Sequence, residues 1–370
     1  MHPNVPHLRF PEFEGEWEKC KLGDIATGFD YGMNAPAKVF DGVNKYIRIT
    51  DIDEASSTYN DSDIVSPDGT LTDTYLVNER DILLARTGAS TGKSYLYKKT
   101  DGKLYFAGFL IRANVPEHNP YFVFSQLHTH RYWKWVSIMS ARSGQPGINS
   151  QEYSSFPIYT TSIQEERKIS KLLSLLEERI ATQSKLIEKL ESLIKGIAQK
   201  IVHSNKTNVR LSECVECCSS TLQESEVCEQ GTYPVYGANG IVGYLDNYNT
   251  EGEAVYIIKD GSSVGTVSYV TGKCSATGTL NTLQAKEGYS LQYFYYLLKV
   301  FNFEPYKTGM AIPHIYFKDY GKAKVFCPSY TEQLQYARLL SAIESNLSIE
   351  MNILTNLSLQ KQYLLRQMFI

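Results

Sequence analysis

The chain has 370 residues, 42% hydrophobic and 21% charged, with a formal net charge of −3. That length supports two domains with separate cores, and the charge excludes a uniformly basic nucleic-acid binder but not a local basic face. No segment approaches the roughly 18 apolar residues of a membrane span, and the start "MHPNVPHLRF" lacks a signal-peptide core, so a cytoplasmic protein with seven reduced cysteines is expected.

In chain order, "KYIRITDID" (45–53) and "DILLART" (81–87) are short β-branched runs bounded by Gly, Asp and Asn, and read as strands. "RTGASTGKS" (86–94) has the look of a phosphate loop, but Gly88 and Gly92 enclose three residues where such a loop needs four. It reads instead as a tight glycine turn after a strand, exposing backbone N–H and hydroxyl groups. "KSYLYKKTDGKLYF" (93–106) interleaves Lys93, Lys98, Lys99 and Lys103 with Tyr95, Tyr97, Tyr105 and Phe106. "HNPYF" (118–122) is one proline short of the Asn-Pro-Pro-aromatic loop of amino-methyltransferases, and no glycine-rich cofactor loop accompanies it. The proline reads as the start of a helix over 119–133. "SARSGQPGIN" (140–149) then offers Arg142, Ser143 and Gln145 on a glycine-proline turn.

From Ile169, alternating steps of four and three give Leu173, Leu176, Ile180, Gln183, Ile187, Leu190, Ile194, Ile197 and Ile201. A 3-4 repeat sustained this far needs a partner helix. After it the chain repeats itself. "KLGDI" (21–25) aligns with "RLSEC" (210–214), and "RTGASTGKS" with "KDGSSVGTV" (259–267), whose twin of the lysine is Thr266. The strand "EAVYIIK" (253–259) and the helix "SLQYFYYLLKVF" (290–301) occupy places matching those in the first half. "YKTGMAIPHI" (306–315), with Lys307 and Thr308, stands where "SARSGQPGIN" stood, and Ile148 and Tyr153 align with Ile315 and Tyr320. The second seam, offset by 167, runs Tyr336, Leu340, Ile343, Leu347, Glu350, Leu354, Leu357, Lys361, Leu364 and Met368. Gln183 and Glu350 break the two seams at the same step, and with Lys361 they cost some stability and help to fix register. Missing such a duplication would mis-assign the whole fold.

The chemistry is sparse. Cys214-x-x-Cys217, with Cys218 and Cys228 nearby, could begin a zinc site, but no second pair follows. No nuclease carboxylate set, nucleophile elbow or His-Glu-x-x-His pair occurs. What remains is polar and basic loop chemistry present twice: Arg86, Lys93, Lys98, Lys99, Arg142 and Gln145 in one half, and Lys259, Ser262, Ser263 and Lys307 in the other. Such side chains read base edges and hold phosphates. The class expected is α+β: two β-rich mixed domains joined by two long helices that pair as an antiparallel intramolecular coiled coil, with a pseudo-twofold internal repeat.

Four features together resemble a type I restriction–modification specificity subunit. They are "LRFPEFEGEWEKCKLGDIATG" (8–28), the "SGQPGIN" turn, the block from "YPVYGANG" to "KDGSSVG" (233–265) and the two leucine-rich helices. The resemblance implies a first target-recognition domain in 1–160, a helix over 161–203, a second recognition domain over 204–328 and a second helix over 329–370. Each domain would read one half of an interrupted, asymmetric DNA site, with the helices setting the spacer. Partners implied are double-stranded DNA, two modification (methyltransferase) subunits that hold S-adenosylmethionine, and restriction/translocase subunits. No catalysis or cofactor is expected in this chain. The competing reading is a non-enzymatic tandem adaptor for carbohydrate or protein, which the salt dependence of binding separates from a phosphate binder.

Overall fold

The computed structural model describes residues 4–141, 146–309 and 312–370. It divides into two compact units, one of Met1–Thr182 with Leu354–Ile370 and one of Gln183–Ile353.

In the first unit, β1 (Glu18–Lys21), β2 (Thr27–Tyr31), β3 (Asp81–Ala85), β4 (Ser94–Leu96), β5 (Leu110–Asn114) and β6 (Pro157–Thr160) carry the framework. The sheet is antiparallel in the order β2-β5-β3-β4, while β1 pairs with β6. Strand β3 is buried at every position because both of its faces are covered. Ile82 and Leu84 pack under the helical residues Val123 and Tyr132 and under Phe156, whereas Leu83 and Ala85 face Tyr95, Leu104 and Phe106. The helical segment expected over 119–133 forms as two helices, α1 (Pro120–Gln126) and α2 (His130–Ser140). The break is a capping choice: Asn119 accepts from Tyr121 N and Phe122 N to start one, and Thr129 accepts from Tyr132 N to start the other.

The second unit repeats the plan. β7 (Val209–Arg210), β8 (Val215–Ser219), β9 (Glu253–Ile258), β10 (Val267–Thr271), β11 (Leu280–Ala285) and β12 (Lys324–Val325) are its framework strands. The antiparallel sheet β8-β11-β9-β10 has the strand order of the first unit, and β7 pairs with β12 as β1 does with β6. Val255 and Ile257 pack on Phe294 and Leu297, and Ala254 and Tyr256 face Val270 and Leu280.

Helices α3 (Ile163–His203) and α5 (Tyr330–Gln367) each contribute to both units, while α4 (Leu291–Lys299) lies within the second. Among the named seam residues, Leu173, Leu176, Ile187, Leu340 and Leu357 are buried, and Ile180, Leu190, Ile343, Leu347 and Leu354 are half-buried. Within the first unit Glu177 of α3 meets Lys361 of α5 at 2.6 Å. Within the second, Gln183 Nε2 donates to the Glu350 carbonyl at 3.1 Å and to its carboxylate, and Ala198 and Ile201 lie against Leu340. Later residues of α3 meet earlier residues of α5, so the pairing is antiparallel.

The first turn of α3 locks the helix to the rest of the first unit. Glu165, fully buried, accepts from Arg9 Nε at 2.7 Å, Arg9 Nη2 at 2.8 Å and Thr161 Oγ1 at 2.6 Å. Glu166, equally buried, accepts from the Asn119 amide at 2.8 Å. Carboxylates here also complement the positive end of the helix dipole. In the second unit Gln333 replaces Glu166 and accepts from the Ser290 amide at 2.9 Å.

Candidate nucleic-acid interface

Both central strands end in the same turn. In the first unit Gly92 N donates to Ala85 O at 3.0 Å, Thr91 N to Gly88 O at 3.1 Å and Lys93 N to Ser90 O at 3.0 Å. In the second, Gly265 N donates to Ile258 O at 2.8 Å, Val264 N to Gly261 O at 3.2 Å and Thr266 N to Ser263 O at 3.1 Å. Gly88, Gly92, Gly261 and Gly265 have φ of 69°, 93°, 95° and 91°, the left-handed region that glycine enters at least cost. These amides are therefore consumed by the turn itself. A phosphate would have to displace carbonyl partners, which is why neither segment is a nucleotide loop.

A second loop docks on each turn. Pro146 O accepts from Gly88 N at 3.0 Å, and Ile148 N donates to Arg86 O at 2.9 Å. The equivalent bonds in the other unit are Gly261 N to Pro313 O at 3.0 Å and Ile315 N to Lys259 O at 2.9 Å. Arg86 N and Lys259 N in turn donate to Phe109 O and Thr279 O, both at 3.0 Å. Arg86 and Lys259 are thus the same position of a duplicated frame.

The basic residues expected at the interface separate on inspection. Arg86 lies over the ring of Tyr31, 4.8 Å from its centroid, and 6.0 Å from that of Phe109. It lines a groove of about 720 Å³ with Tyr31, Met33, Tyr46, Arg48 and Phe109. The amide of Ser150 donates to Tyr31 Oη at 3.2 Å. The Ser150 side chain above all, with this amide and Arg86 adding to it against the effect of burial, holds the phenol below its usual range. Lys93 is compensated by Glu54 at 3.2 Å, Lys99 by Glu79 and Lys307 by Glu304 at 2.5 Å. Lys98 is exposed, but it and Lys99 follow β4, at the end of the β3–β4 hairpin away from Arg86 and Lys93. The aromatic residues interleaved with those lysines are no stacking platform: Tyr95, Tyr105 and Phe106 are core, and Tyr95 Oη donates to Asp101 at 2.6 Å. Ser262 and Ser263 are exposed beside Lys259, whose neighbour Asp260 is engaged by His314 at 2.6 Å. Arg142 and Gln145 lie outside the described residues.

Two features escaped the sequence reading. Tyr31 and Phe109, 42% and 56% exposed, flank Arg86 although they lie far from it in the chain. The second unit has a polar groove of about 480 Å³ lined by Ser219, Ser220, Tyr248, Asn249, Thr282 and Gln284. The cysteine cluster is dispersed: Cys214 is buried, with its thiol pushed up to about 12 by burial, and Cys218 is exposed. Among the described residues no group of three or more His, Cys, Asp or Glu is placed to hold a metal ion, and no helix is long and apolar enough to cross a membrane.

Two copies of one α+β module, each feeding a long helix and each ending in the same turn-plus-loop frame, define a tandem recognition architecture. The chain belongs to the type I restriction modification DNA specificity domain family, whose pattern it matches over residues 14–192 and 203–359. It is 26% identical over 117 residues to the type I restriction enzyme EcoprrI specificity subunit of Escherichia coli, covering 32% of this chain and 29% of that one. Against the MjaVIII specificity subunit of Methanocaldococcus jannaschii it is 25% identical over 248 residues, covering 60% and 54%. These matches span less than two thirds of either relative. The fold is similar to the crystal structure of a type I restriction–modification S subunit from M. genitalium, with TM-score 0.71, 18% identity and 99% of each chain covered. A structure concerning assembly and conformational transition of a type I system gives TM-score 0.54 at 15% identity, covering 94% and 96%.

Proposed function

We propose that this chain is the DNA sequence-specificity subunit of a type I restriction–modification complex. Each unit reads one half of an interrupted site, and because the two frames carry different side chains the halves differ. The observation that carries this reading is the duplicated turn-plus-loop frame: identical backbone hydrogen bonds present Arg86 in one unit and Lys259 in the other. The chain contributes recognition and no catalysis. Methyl transfer, with S-adenosylmethionine, belongs to two modification subunits docked on it, and cleavage to restriction subunits. The complex acts in the cytoplasm, where its DNA is. With a net charge of −3 the chain makes few phosphate contacts alone, so most of the salt-dependent affinity comes from those partners.

Long-read detection of methylated adenine in the source genome, with and without this gene, tests the reading. A split, asymmetric motif that disappears on deletion is the expected result. An unchanged set of methylated motifs would count against it.

A further inference from the structure

Building on the specificity reading, we infer that Arg86 and Lys259 are the equivalent base-reading residues of the two units, each taking the major-groove edge of a guanine. Each half of the site then contains a guanine at the corresponding position.

The first argument is charge. Lys93, Lys99 and Lys307 each have a carboxylate partner, as do Arg48 and Arg112 in the first unit. Among the described residues Arg86 and Lys259 have none, and Asp260, the acid adjacent to Lys259, is occupied by His314. The frame therefore leaves one uncompensated cation at the same place in each copy.

The second argument is geometry. Phosphate binding tolerates a mobile cation, whereas base reading needs a donor edge held at a fixed angle. Arg86 is held. Its backbone is pinned on both sides, by Phe109 O and by the Ile148 amide, and its guanidinium lies against the faces of Tyr31 and Phe109. Its Nε is buried with no hydrogen-bond partner, and the side chain lines the groove and interacts with the Tyr31 phenol, so a base contact would fall to the terminal nitrogens. A planar pair of donors matches guanine O6 and N7, and lysine satisfies the same two acceptors as a point charge. Lys259 is pinned by the equivalent two backbone bonds, to Thr279 O and from the Ile315 amide.

The test places Arg86→Ala, Arg86→Gln and Lys259→Ala at the native locus, so that the protein acts with its own partners, and reads methylated adenines genome-wide. Wild type gives a guanine in each half. Arg86→Ala relaxes that guanine in one half by roughly 5- to 150-fold in preference and leaves the other half intact, which also shows that the variant is folded and assembled. Arg86→Gln shifts the same position toward adenine, whose N6 and N7 suit an amide. Lys259→Ala relaxes only the opposite half. A motif without guanine in either half, an unaltered motif in the arginine variants, or a uniform loss of methylation at all sites in both of them overturns the inference while the specificity reading stands. A uniform loss is what a phosphate contact would give. No gene-dependent motif in wild type removes the specificity reading itself.

Discussion

At the scale of single residues, the two glycines of the first turn do different work. Both have positive φ, but a Cβ at Gly88 meets nothing within 4 Å, whereas one at Gly92 meets Val136 Cγ1 at 2.8 Å and Trp133 Cζ3 at 2.9 Å. Gly88→Ala should cost about 1 kcal/mol, for the backbone alone, and Gly92→Ala about 2–4 kcal/mol, for backbone and overpacking together. Urea titration of the two variants orders them, and equal costs would mean that α2 gives way freely. His128 supplies a pH dependence. It is a neutral imidazole, with Nδ1–H donating to Phe124 O and Nε2 accepting from the Ser57 hydroxyl, both at 2.9 Å. Burial, then the Lys361 ammonium, pushes its pKa down to about 4, with Glu177 opposing. Between pH 6.5 and 4 the unfolded chain binds a proton that the folded chain refuses, so stability falls as pH falls, by about 2–3 kcal/mol across that window. His128→Gln should flatten that part of the curve relative to wild type, and parallel curves would show that the imidazole does not titrate differently in the two states. The candidate site was half legible at this scale. Arg86 and Lys259 could be found because each follows a strand and opens a glycine turn. Tyr31 and Phe109 could not, because only the pairing of β2 with β5 and β5 with β3 brings them to Arg86.

At the scale of elements, the long helices were readable because a 3-4 period over ten steps has one physical solution, a continuous apolar seam against a partner. All twenty seam positions named for the pairing come out buried or half-buried, and two of the three polar breaks, Gln183 and Glu350, meet each other. The sheets were not readable. Thr27 pairs with Asn114 and Val215 with Ala285, and no local pattern announces partners so far apart in the chain. Local capping likewise split the helix expected over 119–133, since Thr129 offered a second start. The Gln183–Glu350 contact has a testable cost. Desolvating an amide and a carboxylate in a helix seam is less favourable than packing two leucines there, while a polar pair penalises every register except its own. The double variant Gln183→Leu, Glu350→Leu should gain about 1–3 kcal/mol in thermal or denaturant unfolding. Its hydrogen-exchange protection along α3 and α5 should become less uniform. A loss of stability would show that the pair is worth more than its desolvation.

At the scale of the whole molecule, α3 and α5 are the elements that pass from one unit into the other, with Ile163–Thr182 of α3 in the first and Gln183–His203 in the second. If each unit reads its own half-site, the residue count of these helices sets the length of DNA left unread. Removing one heptad from each helix keeps the 3-4 seam in phase, because seven residues return the apolar stripe nearly to its starting face. It shortens each helix by about 10 Å at 1.5 Å per residue. Removing three or four residues instead would move polar side chains into the seam and test folding, not spacing. The paired heptad deletion should therefore preserve both half-site sequences and shorten the spacer by up to about three base pairs at roughly 3.4 Å each. Because the duplex also rotates with every base pair removed, total methylation should fall even where the new spacing is accepted. Genome-wide methylated-adenine motifs from the deletion strain read spacing and half-sites in one measurement. Unchanged spacing with intact half-sites would mean that partner subunits, not these helices, set the distance between the two halves.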